Sequence, residues 1–98
     1  MKFNLILSPQ RREDTLEVVK DGSKLIINGT EYDFTPLEDG STLPAEAVDC
    51  EFILGEISRA GDTITITVIL PNTAEASEEA RFPKPILISK NGKVALPQ

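Results

Sequence analysis

Ninety-eight residues with 40% apolar content, few aromatics and no tryptophan are enough for one domain, with a core drawn mostly from Ile, Leu and Val. A net charge of −6 argues against nucleic-acid binding, which runs on neutralising phosphates with Lys and Arg. The absence of histidine removes the commonest general base, the usual metal ligand and every Ser-His or Cys-His nucleophile pair, and the lone Cys50 cannot close an internal disulfide.

The opening Met1-Lys2-Phe3-Asn4-Leu5-Ile6-Leu7 lacks the long apolar stretch and small-residue cleavage site of a secretory signal. No apolar run approaches the roughly 20 residues of a membrane span. The expected setting is therefore cytoplasmic, away from membranes.

Lys2 to Leu7 is the first predicted strand, ending at Ser8-Pro9. Thr15 to Lys20 alternates, with Leu16 and Val18 on one face, and Asp21-Gly22-Ser23 is a turn signal. Lys24 to Asn28 and Thr30 to Phe34 are joined by Asn28-Gly29, a favoured pair where both central residues of a hairpin need positive φ. Asn28-Gly29-Thr30 also matches a glycosylation sequon, but the turn explains it better. These three runs predict an antiparallel meander, with Tyr32 and Phe34 on one face.

Pro36, Gly40 and Pro44 exclude a central strand from Thr35 to Cys50. Leu43 to Val48 predicts one helical turn with Pro44 at an early position, pinned by Leu37, Leu43 and Val48. Glu51 to Ser58 is the next strand, with Gly55 marking a bulge or a close approach. Ala60-Gly61-Asp62 turns it back into Thr63 to Leu70, the clearest strand of the chain. There Ile64, Ile66, Val68 and Leu70 line one face, and Thr63, Thr65 and Thr67 line the other. Pro71 stops it.

Asn72 to Arg81 is Ala/Glu-rich and reads as two helical turns or a loop, with Ser77 as an N-cap for a shorter helix. Ile86 to Ser89, entered through Pro83 and Pro85, is an edge strand. Asn91-Gly92 turns into a tail. The sum is an all-β domain over residues 1–98, a small antiparallel barrel or sandwich of about seven strands with one or two short helical turns. Open edges would need covering or pairing with another copy, so a homo-oligomer is an expectation.

Residues 31–62 carry nine acids and one base, net −8, while the segments on either side are each +1. Glu38, Asp39, Glu46 and Asp49 from this third are the candidate partner-binding acidic surface; a solvated face that keeps the protein soluble is the competing reading. Asp49/Glu51 and Glu31/Asp33 share strand faces and resemble acid–base pairs only in spacing, so a carboxylate-dependent hydrolase is a distant third. Cys50 sits between Asp49 and Glu51, which disfavour a thiolate, and is expected to be a small buried residue. The Thr63/Thr65/Thr67 row follows from β-propensity on a solvated face, and Glu75, Glu78 and Glu79 from a solvated loop. No calcium-loop or phosphate-loop signature is present in the sequence. No catalytic residue, metal or cofactor is assigned.

The stretch Phe3-Asn4-Leu5-Ile6-Leu7-Ser8-Pro9-Gln10-Arg11-Arg12-Glu13-Asp14-Thr15-Leu16-Glu17-Val18 resembles short proteins of tailed bacteriophages and prophages. Asn28-Gly29 with Tyr32-Asp33-Phe34, Thr42-Leu43-Pro44-Ala45, Ile69-Leu70-Pro71, Phe82-Pro83 and Val94-Ala95-Leu96-Pro97 are similar to the same group. The resemblance covers most of the chain but carries no chemical motif, so it transfers no site residue. It implies a small phage-encoded protein, with the tail-gene region as one source. A non-enzymatic structural or assembly protein acting on a phage or host protein, in the bacterial cytoplasm or the virion, is the leading expectation. An acidic host-directed binding module is the alternative.

Overall fold

Phe3, Leu5 and Leu7 are buried while Asn4 and Ile6 between them are only half-covered, the period of two that defines a strand. This is β1 (Lys2–Arg11) in the computed structural model, which describes residues 1–12, 14–48, 50–72 and 78–96. Eight further strands follow among the described residues: β2 (Val18–Asp21), β3 (Lys24–Ile27), β4 (Thr30–Asp33), β5 (Thr42–Leu43), β6 (Ile53–Ala60), β7 (Thr63–Asn72), β8 (Ile86–Ile88) and β9 (Gly92–Lys93). A 3₁₀ turn, Ala45–Ala47, and one α-helical turn, α1 (Glu78–Arg81), complete the elements.

The strands form two open sheets, ordered β5-β6-β7-β1-β8 and β4-β3-β2-β9. The all-β class is as expected, but no barrel closes, and the described residues hold nine strands rather than about seven. The two extra strands, β5 and β9, are two residues long, too short to show any periodicity. The expected free tail after Asn91 is in part β9, paired with Val19 and Lys20.

The antiparallel expectation fails at one place. β1 and β7 run parallel over ten register pairs, from Lys2 opposite Thr63 to Arg11 opposite Asn72. A parallel pair needs a long crossover, normally a helix. Here the crossover is the β2-β3-β4 meander of the second sheet, followed by β5 and β6.

Neither Pro9 nor Pro71 ends its strand. The N–H groups of Lys2 and Arg12 donate to the carbonyls of Asp62 and Asn72 at 2.6 and 3.1 Å, so even-numbered residues of β1 point their donors at β7. Pro9 is odd and faces the β8 side, where pairing stops at Leu5. On β7, the Ile69 N–H donates to the Phe52 carbonyl, so odd residues face β6, and Pro71 lies past the start of that strand at Ile53. Each proline lacks its donor where no neighbouring strand would accept it.

The β6–β7 hairpin forms as predicted, with a bulge at Gly55. Leu54 pairs with Thr67 and Ser58 with Thr65, so three residues of β6 stand opposite Ile66 alone. Gly55 adopts φ +65°, a conformation open to glycine at little cost. Because the excess is two residues, the alternation survives, and Ile53 and Ile57 both reach the core.

One core joins the sheets. Phe3, Leu5, Ile57, Ile64, Ile66 and Val68 from the first sheet pack in one cluster with Val18, Leu25 and Ile27 from the second. Phe34, just past β4, meets Phe3 edge-on with ring centroids 5.9 Å apart. The threonine face of β7 is not simply solvated: Thr63, Thr65 and Thr67 are half-buried, and Ile69 on the same face is buried. The α1 turn lies against this strand.

Candidate functional site

Glu38 and Asp39 are exposed in the loop that leads to β5. Hydrogen bonds hold this loop to the β6–β7 turn. Asp39 Oδ1 accepts the Gly61 N–H at 2.7 Å, and the Gly40 N–H donates to the Arg59 carbonyl at 2.8 Å. Arg59 Nη1 donates to the Leu37 carbonyl at 2.7 Å and its Nε to the Gly61 carbonyl at 2.9 Å. Asp39 thus holds structure as well as charge. Glu46 is exposed on the 3₁₀ turn, which packs on β6, and Glu56 and Asp62 are exposed in the bulge and the β6–β7 turn. Asp49, Glu75 and Ser77 lie outside the described residues.

The rest of the acidic third goes elsewhere. Glu31 and Asp33 sit on β4, the edge of the other sheet. Lys24 Nζ lies 2.9 Å from Glu31 Oε1, and this partner holds the lysine's pKa above its ordinary value. The Thr35 hydroxyl and backbone N–H both donate to Asp33 Oδ1, at 2.6 and 2.9 Å, holding that carboxyl below its ordinary range. Both carboxylates of this i, i+2 pair are occupied by surface partners.

Glu51 lies 3.6 Å from Arg12 Nη2, which is 2.6 Å from Asp14 Oδ2, and the Arg12 guanidinium sits 4.9 Å over the Phe52 ring. Beside them is an open cleft of about 410 Å³ lined by Ile27, Asn28, Thr30, Tyr32, Cys50 and Phe52. Cys50 is half-buried at its margin rather than enclosed as expected. Among the described residues, no three His, Cys, Asp or Glu side chains converge as a metal site.

The opposite edge of the first sheet differs in character. β8 ends the sheet, and near it Phe82 and Leu87 are the large apolar side chains most open to solvent, at 75% and 59% exposure. Lys84, Lys90 and Lys93 are exposed around them in sequence and make no ion pair with a described residue.

Lys20 escaped sequence reasoning. It is buried on the core face of β2, two residues beyond Val18. The alternation of Leu16, Val18 and Lys20 already placed it there. No helix of the described residues is long and apolar enough to cross a membrane. A scan of family models finds no match to this chain, and searches of curated proteins and of solved structures find none either.

Proposed function

We propose that this chain is a non-enzymatic structural or assembly protein of a tailed phage or prophage, working through protein–protein contacts. The observation that carries the reading is the β8 edge, an open strand that carries exposed Leu87 and is preceded four residues earlier by exposed Phe82. Open sheet edges and exposed large apolar groups both favour association with another chain. The resemblance of Phe3 to Val18 and the later pieces to short phage proteins supplies the source.

An affinity pull-down with mass spectrometry from induced lysogen lysate, together with analysis of purified virions, tests it. A specific complex with a tail protein, or incorporation into virions, is the expected result. Absence from virions and no phage protein in the pull-down would overturn it.

The second reading, an acidic module that docks on a basic host protein, is favoured by Glu38 and Glu46, which are exposed and make no ion pair with a described residue. The carboxylates this reading assigns to docking are Glu38, Asp39, Glu46 and Asp49. Such docking weakens with salt and with neutralisation of these four carboxylates. Unchanged affinity in the quadruple variant would remove it.

A further inference from the structure

We propose that copies of this chain associate head to tail, the β8 edge of one docking against the β5–β6 edge of the next. The inference rests on the protein-contact reading above and names a second copy as the partner. β8 and β5 are opposite edges of one five-stranded sheet. Neighbouring strands lie about 4.8 Å apart, so these edges are separated by roughly 19 Å.

Their charges are opposite, the exposed Glu78 and Arg81 of α1 ahead of β8 cancelling in number. Glu38, Glu46, Glu56 and Asp62 are exposed on or beside β5 and β6, and none makes an ion pair with a described residue. Lys84, Lys90 and Lys93 are exposed before and after β8, equally without an ion-pair partner among the described residues. Lys90 follows β8 by two residues and so lies close to its edge, while Lys93 lies on β9, the edge strand of the second sheet. Phe82 and Leu87 add an apolar contact to the basic side.

A self-complementary patch used by both partners would bring the lysines of two copies together. Pairing unlike edges instead matches charge with its opposite. Such a heterologous contact forms an open chain or, if the rotation closes, a ring. Surface charges are screened by salt, so association is strongest at low ionic strength.

Sedimentation velocity on the full chain over a range of concentrations, at low and high salt, tests the inference. Two folded, charge-reversed variants are compared: Lys84→Glu/Lys90→Glu/Lys93→Glu and Glu38→Lys/Glu46→Lys/Glu56→Lys, with circular dichroism as the check on folding. The natural chain is expected to gain mass with concentration at low salt and lose that gain at high salt. Each variant alone should stay monomeric, because both of its edges carry one sign. An equimolar mixture of the two should associate again, since one supplies a native acidic edge and the other a native basic edge. A concentration-independent monomer of the natural chain overturns the inference. So does association that survives reversal of the glutamates, which would mark a symmetric contact through β8 alone. A natural chain that stays monomeric yet binds a phage protein would defeat this inference and leave the proposed function standing.

Discussion

Lys20 Nζ lies 3.1 Å from Asn91 Oδ1, a hydrogen bond between residues 71 positions apart. The same Asn91 oxygen accepts the Gly22 N–H at 2.9 Å. One amide oxygen therefore ties the β2–β3 turn to the link between β8 and β9, and it accepts from a lysine only 4% exposed. A buried ammonium without a hydrogen-bond acceptor is costly.

Asn91→Ala should therefore destabilise the protein by about 1–3 kcal/mol, because it leaves Lys20 and the Gly22 N–H short of an acceptor. Lys20→Met should cost less or even stabilise, since it removes the buried charge and keeps the apolar stem. In the Lys20→Met background, Asn91→Ala should lose part of its effect. Urea unfolding of the four proteins checks this. Full additivity of the two substitutions would show that the pair does not interact.

Asn28 combines a strained backbone with a side-chain latch. It adopts φ +50°, followed by Gly29 at +84°, the pair of positive angles a two-residue hairpin turn needs. Its Oδ1 accepts the Glu17 N–H at 2.7 Å and its Nδ2 donates to the Thr15 carbonyl at 3.1 Å. Asn28→Gly should keep the turn and lose the latch, at about 1 kcal/mol. Asn28→Ala loses the latch and adds the cost of a left-handed alanine, about 1 kcal/mol more. Equal destabilisation of the two variants in thermal unfolding would show that the backbone strain is negligible.

The Asp33–Thr35 contact predicts a pH dependence with a fixed sign. The Thr35 hydroxyl, and then its backbone N–H, hold the Asp33 carboxyl below its ordinary range. A carboxylate lowered on folding stabilises the protein above its unfolded pKa, about 3.9 for Asp, and that contribution fades as pH falls through the lower folded value. Thr35→Val removes the hydroxyl's bonds to Asp33 and Ser23, leaves the backbone N–H bond in place, and should raise the Asp33 pKa, read by NMR titration of its carboxyl carbon. Lys24 has the opposite sign: its pKa is raised by Glu31, so its contribution is present below the unfolded value and is lost as pH rises through the folded one. An unmoved Asp33 titration in Thr35→Val would assign the shift to the backbone bond.

Much of the fold was legible because it is written in short-range pattern. The alternation of Thr63 to Leu70, the Asn28-Gly29 turn, the bulge at Gly55 and the edge position of Ile86 to Ile88 all follow from side-chain period and backbone preference. The parallel pairing of β1 with β7 was not legible, since it joins segments about 60 residues apart through chain geometry rather than local chemistry. Pro9 and Pro71 misled for the same reason: a proline ends a strand only if its missing donor faces a partner, and that depends on where β8 and β6 stop. The acidic candidates were legible as charges but not as a surface. Glu38, Asp39 and Glu46 stay with β5 and β6 while Glu31 and Asp33 go to the other sheet, because the chain changes sheets between β4 and β5.

Arg59 is the residue that keeps the acidic loop in place. Its guanidinium bonds two carbonyls, Leu37 and Gly61, while its backbone carbonyl accepts the Gly40 N–H and its N–H donates to the Ser41 carbonyl at 3.1 Å. Only the side-chain part is open to substitution. Arg59→Lys keeps the charge but cannot reach both carbonyls with a planar fork of donors. It should lower global stability by about 1 kcal/mol or less and selectively speed amide exchange at Gly40 and Ser41, whose backbone bonds depend on the loop staying closed. Exchange that quickens equally across β1 and β7 would instead mean that Arg59 supports the whole sheet. If the selective pattern holds, Arg59→Lys also loosens Glu38 while leaving the charge of the β5–β6 edge unchanged, and so separates the position of the acids from their number.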